Sequence, residues 1–246
     1  MNGIYPAMAF LNVVIDGRNP WRNILLKIPF SQYVFIAGSA ATWMAEYALF
    51  ETEPAWVPGD IDVFVLYPES MFETLVATFM AHHVDSIGSA IRKRRNVVDI
   101  VLNPSLSCEP ALSFVRCLSA GNDSDVIGQF DIDVCKVVIN RFDGVLQVKV
   151  AEDVLAQIRD RQMHCFVRKR TPRSLQYPLQ KTLLRMMKYR SRGYKCMSIL
   201  LESSNDHNFP EYDSELLPED FAADVTMINA LRVWEAQQRP VSAALI

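Results

Sequence analysis

With 246 residues, 50% of them apolar and 22% charged, and a formal net charge of −3, the chain has material for one large core or two smaller ones. This composition excludes a disordered acidic tail and a uniformly basic nucleic-acid binder, while leaving room for a local basic patch. The five cysteines are scattered, with no Cys-x-x-Cys pair, which predicts reduced thiols in a cytoplasmic protein rather than a zinc site.

Residues 1–21 carry no basic start before their apolar run, and Asp16 and Arg18 close that run early. Neither a signal peptide nor a membrane span is expected. Residues 33–40, YVFIAGSA, read as a short buried strand ending in small residues, and 41–51, ATWMAEYALFE, as a helix. Residues 53–60, EPAWVPGD, form a loop. IDVFVLY (61–67) is a second strand and ESMFETLVATFMAHH (69–83) an amphipathic helix. Residues 86–103 predict two extended segments joined by a basic turn, IRKRR, the second being VVDIVLN. PALSFVRCLS (110–119) reads as a helix and SDVIGQ as a short capped turn. Residues 130–150 read as a hairpin turning at Asp143-Gly144. After residue 150 the pattern is helical in 151–167, in 174–194 with a kink or break at Pro178, and in 218–238, with a polar loop over 202–215. The expectation is an α+β chain: a mixed sheet with flanking helices over 1–150, then a mostly helical region over 151–246.

The chemistry concentrates in Asp60-Ile61-Asp62. Strand side chains alternate, so both aspartates share one face, with Phe64, while Ile61, Val63 and Val65 take the other. Adjacent carboxylates repel, and a divalent cation relieves the conflict; Mg²⁺ suits carboxylate and phosphate oxygens. The plainer reading makes Asp60 a turn cap and leaves Asp62 facing solvent. Gly38-Ser39 ends the preceding strand and opens a helix, where backbone N–H groups suit a phosphate. A tight turn without a ligand is the ordinary alternative for that pair alone.

The run from Ala37 to Val65, AGSAATWMAEYALFETEPAWVPGDIDVFV, resembles the nucleotidyltransferase superfamily, which includes DNA polymerase beta and CCA-adding enzymes. The resemblance is specific over residues 33–66 and extends to about 150. LLRMMKYRSRGY (183–194) resembles a helix that follows the core in some uncharacterised members, viral ones included. The resemblance implies transfer of a nucleoside monophosphate from a nucleoside triphosphate such as ATP to a hydroxyl acceptor on RNA, tRNA, protein or a small molecule. It implies two Mg²⁺ or Mn²⁺ ions held by Asp60, Asp62 and a third carboxylate, and phosphate contacts from Gly38 and Ser39. Asp99, mid-strand among apolar residues, is the favoured third carboxylate; otherwise it is an aspartate at a solvent-facing sheet edge. Asp131 is the other candidate, unless it serves as a cap or an ion-pair partner of Lys136 or Arg141. Ala40-Ala41 departs from the family pattern by offering no nearby arginine, so Arg92, Lys93, Arg94 or the second half would have to grip the phosphates. Arg185, Lys188 and Arg192 share one helical face, with Tyr189 and Tyr194 as either base-stacking or core aromatics. His82 and His83 suit a helix C-terminus better than a metal. The alternative function is a binding or scaffold module that keeps the fold without turnover. An unrelated α/β domain, with Asp60 and Asp62 merely structural, is a third reading.

Overall fold

The computed structural model describes residues 7–13, 22–82, 87–94, 96–102, 111–118, 120–168, 176–202 and 212–216. The expected helix over 218–238 and most of the basic run 167–173 lie outside them, as do Cys108 and His83. Against an expected division near residue 150, contacts divide the chain into residues 1–130 with 134–160, and residues 131–133 with 161–246.

The first unit contains β1 (Met8–Asn12), α1 (Arg22–Lys27), β2 (Val34–Ala37), α2 (Ser39–Phe50), β3 (Asp60–Val65), α3 (Glu69–His82), β4 (Ile87–Arg94), β5 (Val97–Leu102), β6 (Ala111–Arg116), α4 (Asp123–Ile127), β7 (Val137–Phe142), β8 (Val145–Ala151) and α5 (Glu152–Asp160). Among the described residues its eight strands form one mixed sheet in the order β1-β8-β7-β2-β3-β6-β5-β4. The β3–β6 pair is parallel and its neighbours β2–β3 and β5–β6 are antiparallel.

Alternation sorts the sheet into two faces. Ile61, Val63 and Val65 are fully buried, and in register with them Ile36 and Ile139 occupy the same side. Leu112, Phe114, Val98 and Ile100 continue that side across β6 and β5. Helix α3 covers it, with Phe79 edge-on to Phe114 at 5.1 Å and Glu69 ion-paired to Arg116 at 3.0 Å. The opposite face carries Phe35, Ala37, Asp60, Asp62, Phe64, Ser113 and Asp99. Part of it is capped by α4, whose Val126 packs with Phe35, Ala37 and Val138, flanked by Phe64, Leu66, Cys117 and Phe130. Strand β2 is therefore buried at every residue. Helix α4 starts with a capping box: Asn122 accepts from the Asp125 amide, and the Asp125 carboxylate accepts from the Asn122 amide. The β7–β8 hairpin turns at Asp143 and Gly144 with φ of 47° and 82°, the left-handed pair that a two-residue hairpin loop requires.

The second unit combines β9 (Gln162–Arg168), α6 (Gln176–Ser191), β10 (Lys195–Glu202) and β11 (Tyr212–Leu216). Its sheet runs β11-β10-β9, with β9 and β10 parallel across the α6 crossover. Pro178 sits in the first turn of α6, where a missing N–H costs nothing, and the helix runs on past it.

Five local expectations give way. Residues 111–116 are a strand, because Leu112 and Phe114 alternate with Ser113 and slot between β3 and β5. The 130–136 segment is not hairpin strand; it holds a 3-10 turn at Asp133–Cys135, and β7 starts at Val137. The helix expected over 151–167 stops at Asp160. Arg161 takes a left-handed φ of 56°, and β9 follows, paired along its length with β10. Residues 212–216, expected as loop, pair with β10. Arg92, Lys93 and Arg94 lie inside β4 rather than in a turn. In each case long-range strand pairing or an engaged side chain outweighs local pattern. The α+β class and the mixed sheet with flanking helices hold, and the described part of the second unit is a helix with a three-stranded sheet in place of a mostly helical region.

Candidate functional site

The site begins where β2 ends. Gly38 caps α2 with φ 78° and ψ −147°, a conformation that L side chains rarely adopt. A methyl group built on Gly38 would lie 3.8 Å from Oδ2 of Asp62 and 4.0 Å from the Phe130 ring. So the first turn of α2 and the β3 carboxylate are neighbours, as the adjacent pairing of Ala37 with Asp62 demands. Ser39 is the first residue of the helix, and no side chain caps its N-terminus. Thr42, one turn on, is fully buried, and its hydroxyl donates to Gly38 O at 3.1 Å and Val134 O at 2.7 Å, fixing the turn from below.

Asp60 and Asp62 are half-buried and alternate with buried Ile61 and Val63. From Asp62 a transverse row crosses the sheet: Asp62 pairs with Ser113, Ser113 with Asp99, and Asp99 with Arg92. Residues paired across strands share a face. Asp62, Ser113 and Asp99 thus project from the same side, with Arg92 at the next register position. Ser113 is 6% exposed and donates to Oδ1 of Asp99 at 2.9 Å. It escaped sequence reading because 110–119 has a helix-compatible pattern; its one signal was a small polar residue between Leu112 and Phe114. Arg94 pairs with Val97, two residues along from Arg92.

Asp131, Lys188, Tyr189, Arg192 and Tyr194 belong to the second unit. Asp131 accepts from the Thr182 hydroxyl at 2.8 Å and from Arg185 at 2.6 Å, an ion pair in place of the Lys136 or Arg141 pairing considered from sequence. Lys188 is exposed on α6, and Arg192 lies over the Tyr189 ring at 4.8 Å. Tyr189 and Tyr194 are each 2% exposed and packed edge-to-face at 5.4 Å, so the core reading holds and neither offers a stacking surface. His82, at the end of α3, bonds through Nδ1 to Thr78 O at 2.8 Å, in keeping with a helix terminus.

Among the described residues no three carboxylate, imidazole or thiol groups stand close enough to hold a metal ion unaided. The donor set still fits Mg²⁺, which is usually bound through one or two carboxylates and completed by waters and substrate phosphates. Asp60 and Asp62 supply two such oxygen donors on one face beside a helix start. A separate cavity of about 700 Å³ between α1 and α3 is lined by Leu26, Tyr67, Met71, Leu75 and Phe79 and by none of the expected site residues. Among the described residues no helix is long and apolar enough to cross a membrane.

No family model matches the chain, and no curated protein matches it. Solved structures do. A CCA-adding enzyme in complex with CTP matches with a TM-score of 0.50 at 11% identity, over 76% of this chain and 43% of that one. The Thermotoga maritima CCA-adding enzyme complexed with tRNA matches with a TM-score of 0.50 at 12% identity, over 76% of this chain and 42% of that one. The match therefore spans less than half of either enzyme, and what is shared is the fold.

Proposed function

We propose that this chain is a metal-dependent nucleotidyltransferase, moving a nucleoside monophosphate from a nucleoside triphosphate to a hydroxyl acceptor. The observation that carries the reading is the approach of Gly38, at the start of α2, to the carboxylate of Asp62 on a strand that also presents Asp60. It puts an anion-favouring helix start and a pair of cation-favouring carboxylates side by side. The fold shared with CCA-adding enzymes, one holding CTP and one tRNA, supports a nucleotide substrate and makes an RNA or tRNA end the first acceptor to try.

Asp60 and Asp62 would hold divalent cation, Mg²⁺ or Mn²⁺, with Asp99 as the third carboxylate. Bound cation supplies charge neutralisation at the phosphates and acidifies the acceptor hydroxyl. Ser39 and the first amides of α2 orient the phosphate oxygens, and Arg92 and Arg94 stand on the strand beside Asp99 as candidates to meet the triphosphate tail. The acceptor oxygen bonds to the α-phosphorus as the α–β bridging bond breaks. Pyrophosphate leaves with the bonding pair, and the hydroxyl proton passes to Asp99 or to solvent. The chain's contribution is positioning and fixed charge. A cytoplasmic setting suits such a substrate.

Incubation with each α-labelled nucleoside triphosphate, Mg²⁺ or Mn²⁺, and separate RNA and protein fractions tests the reading. Label is expected in one fraction, absent without metal and absent with Asp62→Asn. Equal incorporation by wild type and Asp62→Asn would overturn it. The binding-module reading draws on the lack of a ready three-group metal cluster among the described residues. It is favoured if calorimetry shows nucleotide binding and no fraction takes label.

A further inference from the structure

The face of the sheet that presents Asp60 and Asp62 has two unlike flanks. On the β6 side the register neighbours of Asp62 are polar, Ser113 and then Asp99. On the α4 side they are aromatic. Phe64, next but one to Asp62 on the same strand face, stacks on fully buried Phe35 with ring centroids 5.8 Å apart and meets the Phe130 ring at 5.7 Å. Phe130 follows α4, where its amide donates to Ile127 O at 3.0 Å, and it is only partly buried. The three rings step from the core outward and end at the glycine turn. Among the described residues, the side chains that a methyl group built on Gly38 would meet are those of Asp62, at 3.8 Å, and Phe130, at 4.0 Å. A phenyl ring and a carboxylate thus wall one notch at the start of α2.

From this geometry we propose that Phe130 contacts the nucleoside of the substrate and that the base stacks on its ring. A triphosphate is charged throughout and gains nothing from a phenyl group, whereas every nucleobase has a flat face that does. The carboxylate and the helix start take the charged end of the ligand, and the ring takes the apolar end. The inference rests on the nucleotidyltransferase reading and deepens it, naming the residue that binds the part of the substrate left untouched by metal and phosphate contacts. Stacking reads a flat surface rather than a hydrogen-bond pattern, so Phe130 by itself admits all four bases.

The test asks whether removing the ring and removing the base have the same consequence. Affinities for a non-hydrolysable ATP analogue and for ribose 5-triphosphate, both with Mg²⁺, are measured by isothermal titration calorimetry on the full chain. Wild type, Phe130→Ala, Phe130→Leu, Phe130→Tyr and Asp62→Asn are compared. Wild type is expected to bind the analogue about tenfold more tightly than ribose 5-triphosphate, the scale of one base–aromatic stack. Phe130→Ala and Phe130→Leu should lose that ratio while keeping their affinity for ribose 5-triphosphate, and Phe130→Tyr should retain it. Leucine still fills space against Phe64, so it carries the test if melting curves show that alanine loosens the fold. A residue that only packs would lower both affinities alike and leave the ratio intact. That outcome, or a ratio near one in wild type, overturns the inference. The nucleotidyltransferase reading stands in either case if both ligands bind wild type and neither binds Asp62→Asn. If wild type binds neither ligand, both fail.

Discussion

The tripeptide Asp-Ile-Asp occurs at 60–62 and again at 131–133. In both copies the isoleucine is fully buried, yet the carboxylates meet opposite fates. At 60–62 the backbone is a strand, and its aspartates stand half-buried on a sheet face beside the glycine turn. At 131–133 the backbone is a bend entering a 3-10 turn, and the acids serve the second unit. Asp131 is held by Thr182 and Arg185. Asp133, 4% exposed, accepts the His164 amide with both oxygens at 2.9 and 3.0 Å. Sequence equivalence does not carry chemical equivalence. At 131–133 the protein itself supplies hydroxyl, guanidinium and amide donors to the two carboxylates, which makes them structural.

The largest contrast is expected in Asp62→Asn. The carboxamide keeps the size and removes the charge that binds cation, so nucleotide incorporation should fall by about 100-fold or more, on the scale of losing one electrostatic stabiliser. Stability should move by less than about 0.5 kcal/mol, since like-charge repulsion with Asp60 is relieved. A urea titration alongside the incorporation assay measures both. Comparable losses in stability and turnover would make the first tripeptide structural like the second.

Thiols near each copy report on its surroundings. Cys117 belongs to the cluster beside Phe64, and burial pushes its thiol from 9.0 up to about 11. At pH 8 its thiolate fraction is then roughly 100-fold below that of an ordinary cysteine, and iodoacetamide labelling followed by mass spectrometry should be slowed accordingly. The sign for stability follows. Between pH 9 and 11 the unfolded chain loses this proton first, so unfolding becomes easier as pH rises through that window, with no contribution below it. Cys165, bridged to Ile132, is fully buried, and its Sγ lies 3.9 Å from that of Cys196. Either thiol can donate across this pair; the shared hydrogen bond and then burial raise Cys165, and the same bond lowers Cys196. Cys196 should therefore be alkylated before Cys165, and the reverse order would place the thiol proton on the other sulfur.

Asp133→Ala should cost about 1–3 kcal/mol, because it leaves the His164 amide without its acceptor. Denaturant unfolding reads this directly. A cost as small as that of Asp62→Asn would erase the distinction between the two copies.

Much of the first unit was legible because its strands and helices announce themselves locally. Period-2 alternation marks β3, Gly38 ends β2, and Asp143-Gly144 marks the hairpin. Asp60, Asp62 and Gly38 could be associated from sequence because a single helix separates their strands. Ser113 and the face it shares with Asp99 could not, because the β3–β6 pairing is parallel and joins residues about fifty positions apart, which no local pattern encodes. The role of 131–133 was hidden for the same reason. Its partners Thr182, Arg185 and His164 are contributed by α6 and β9, and β9 itself reads as helix until β10 pairs with it.

Arg185→Ala is expected to have the smallest effect and puts the sharpest question to the second copy. The Arg185 side chain is 56% exposed and that of Asp131 20%, so water screens the pair despite its 2.6 Å separation. Thr182, 2% exposed, donates to the same carboxylate oxygen, so Asp131 keeps a partner when the guanidinium goes. The cost should stay within about 1 kcal/mol and shrink in 1 M salt, as exposed ion pairs do. Asp133→Ala should keep its penalty in the same salt, since a lost backbone acceptor is not an ionic effect. Incorporation of labelled nucleotide by Arg185→Ala should match wild type. A loss of incorporation without a matching loss of stability would give Arg185 and its partner Asp131 a part in the reaction beyond scaffolding.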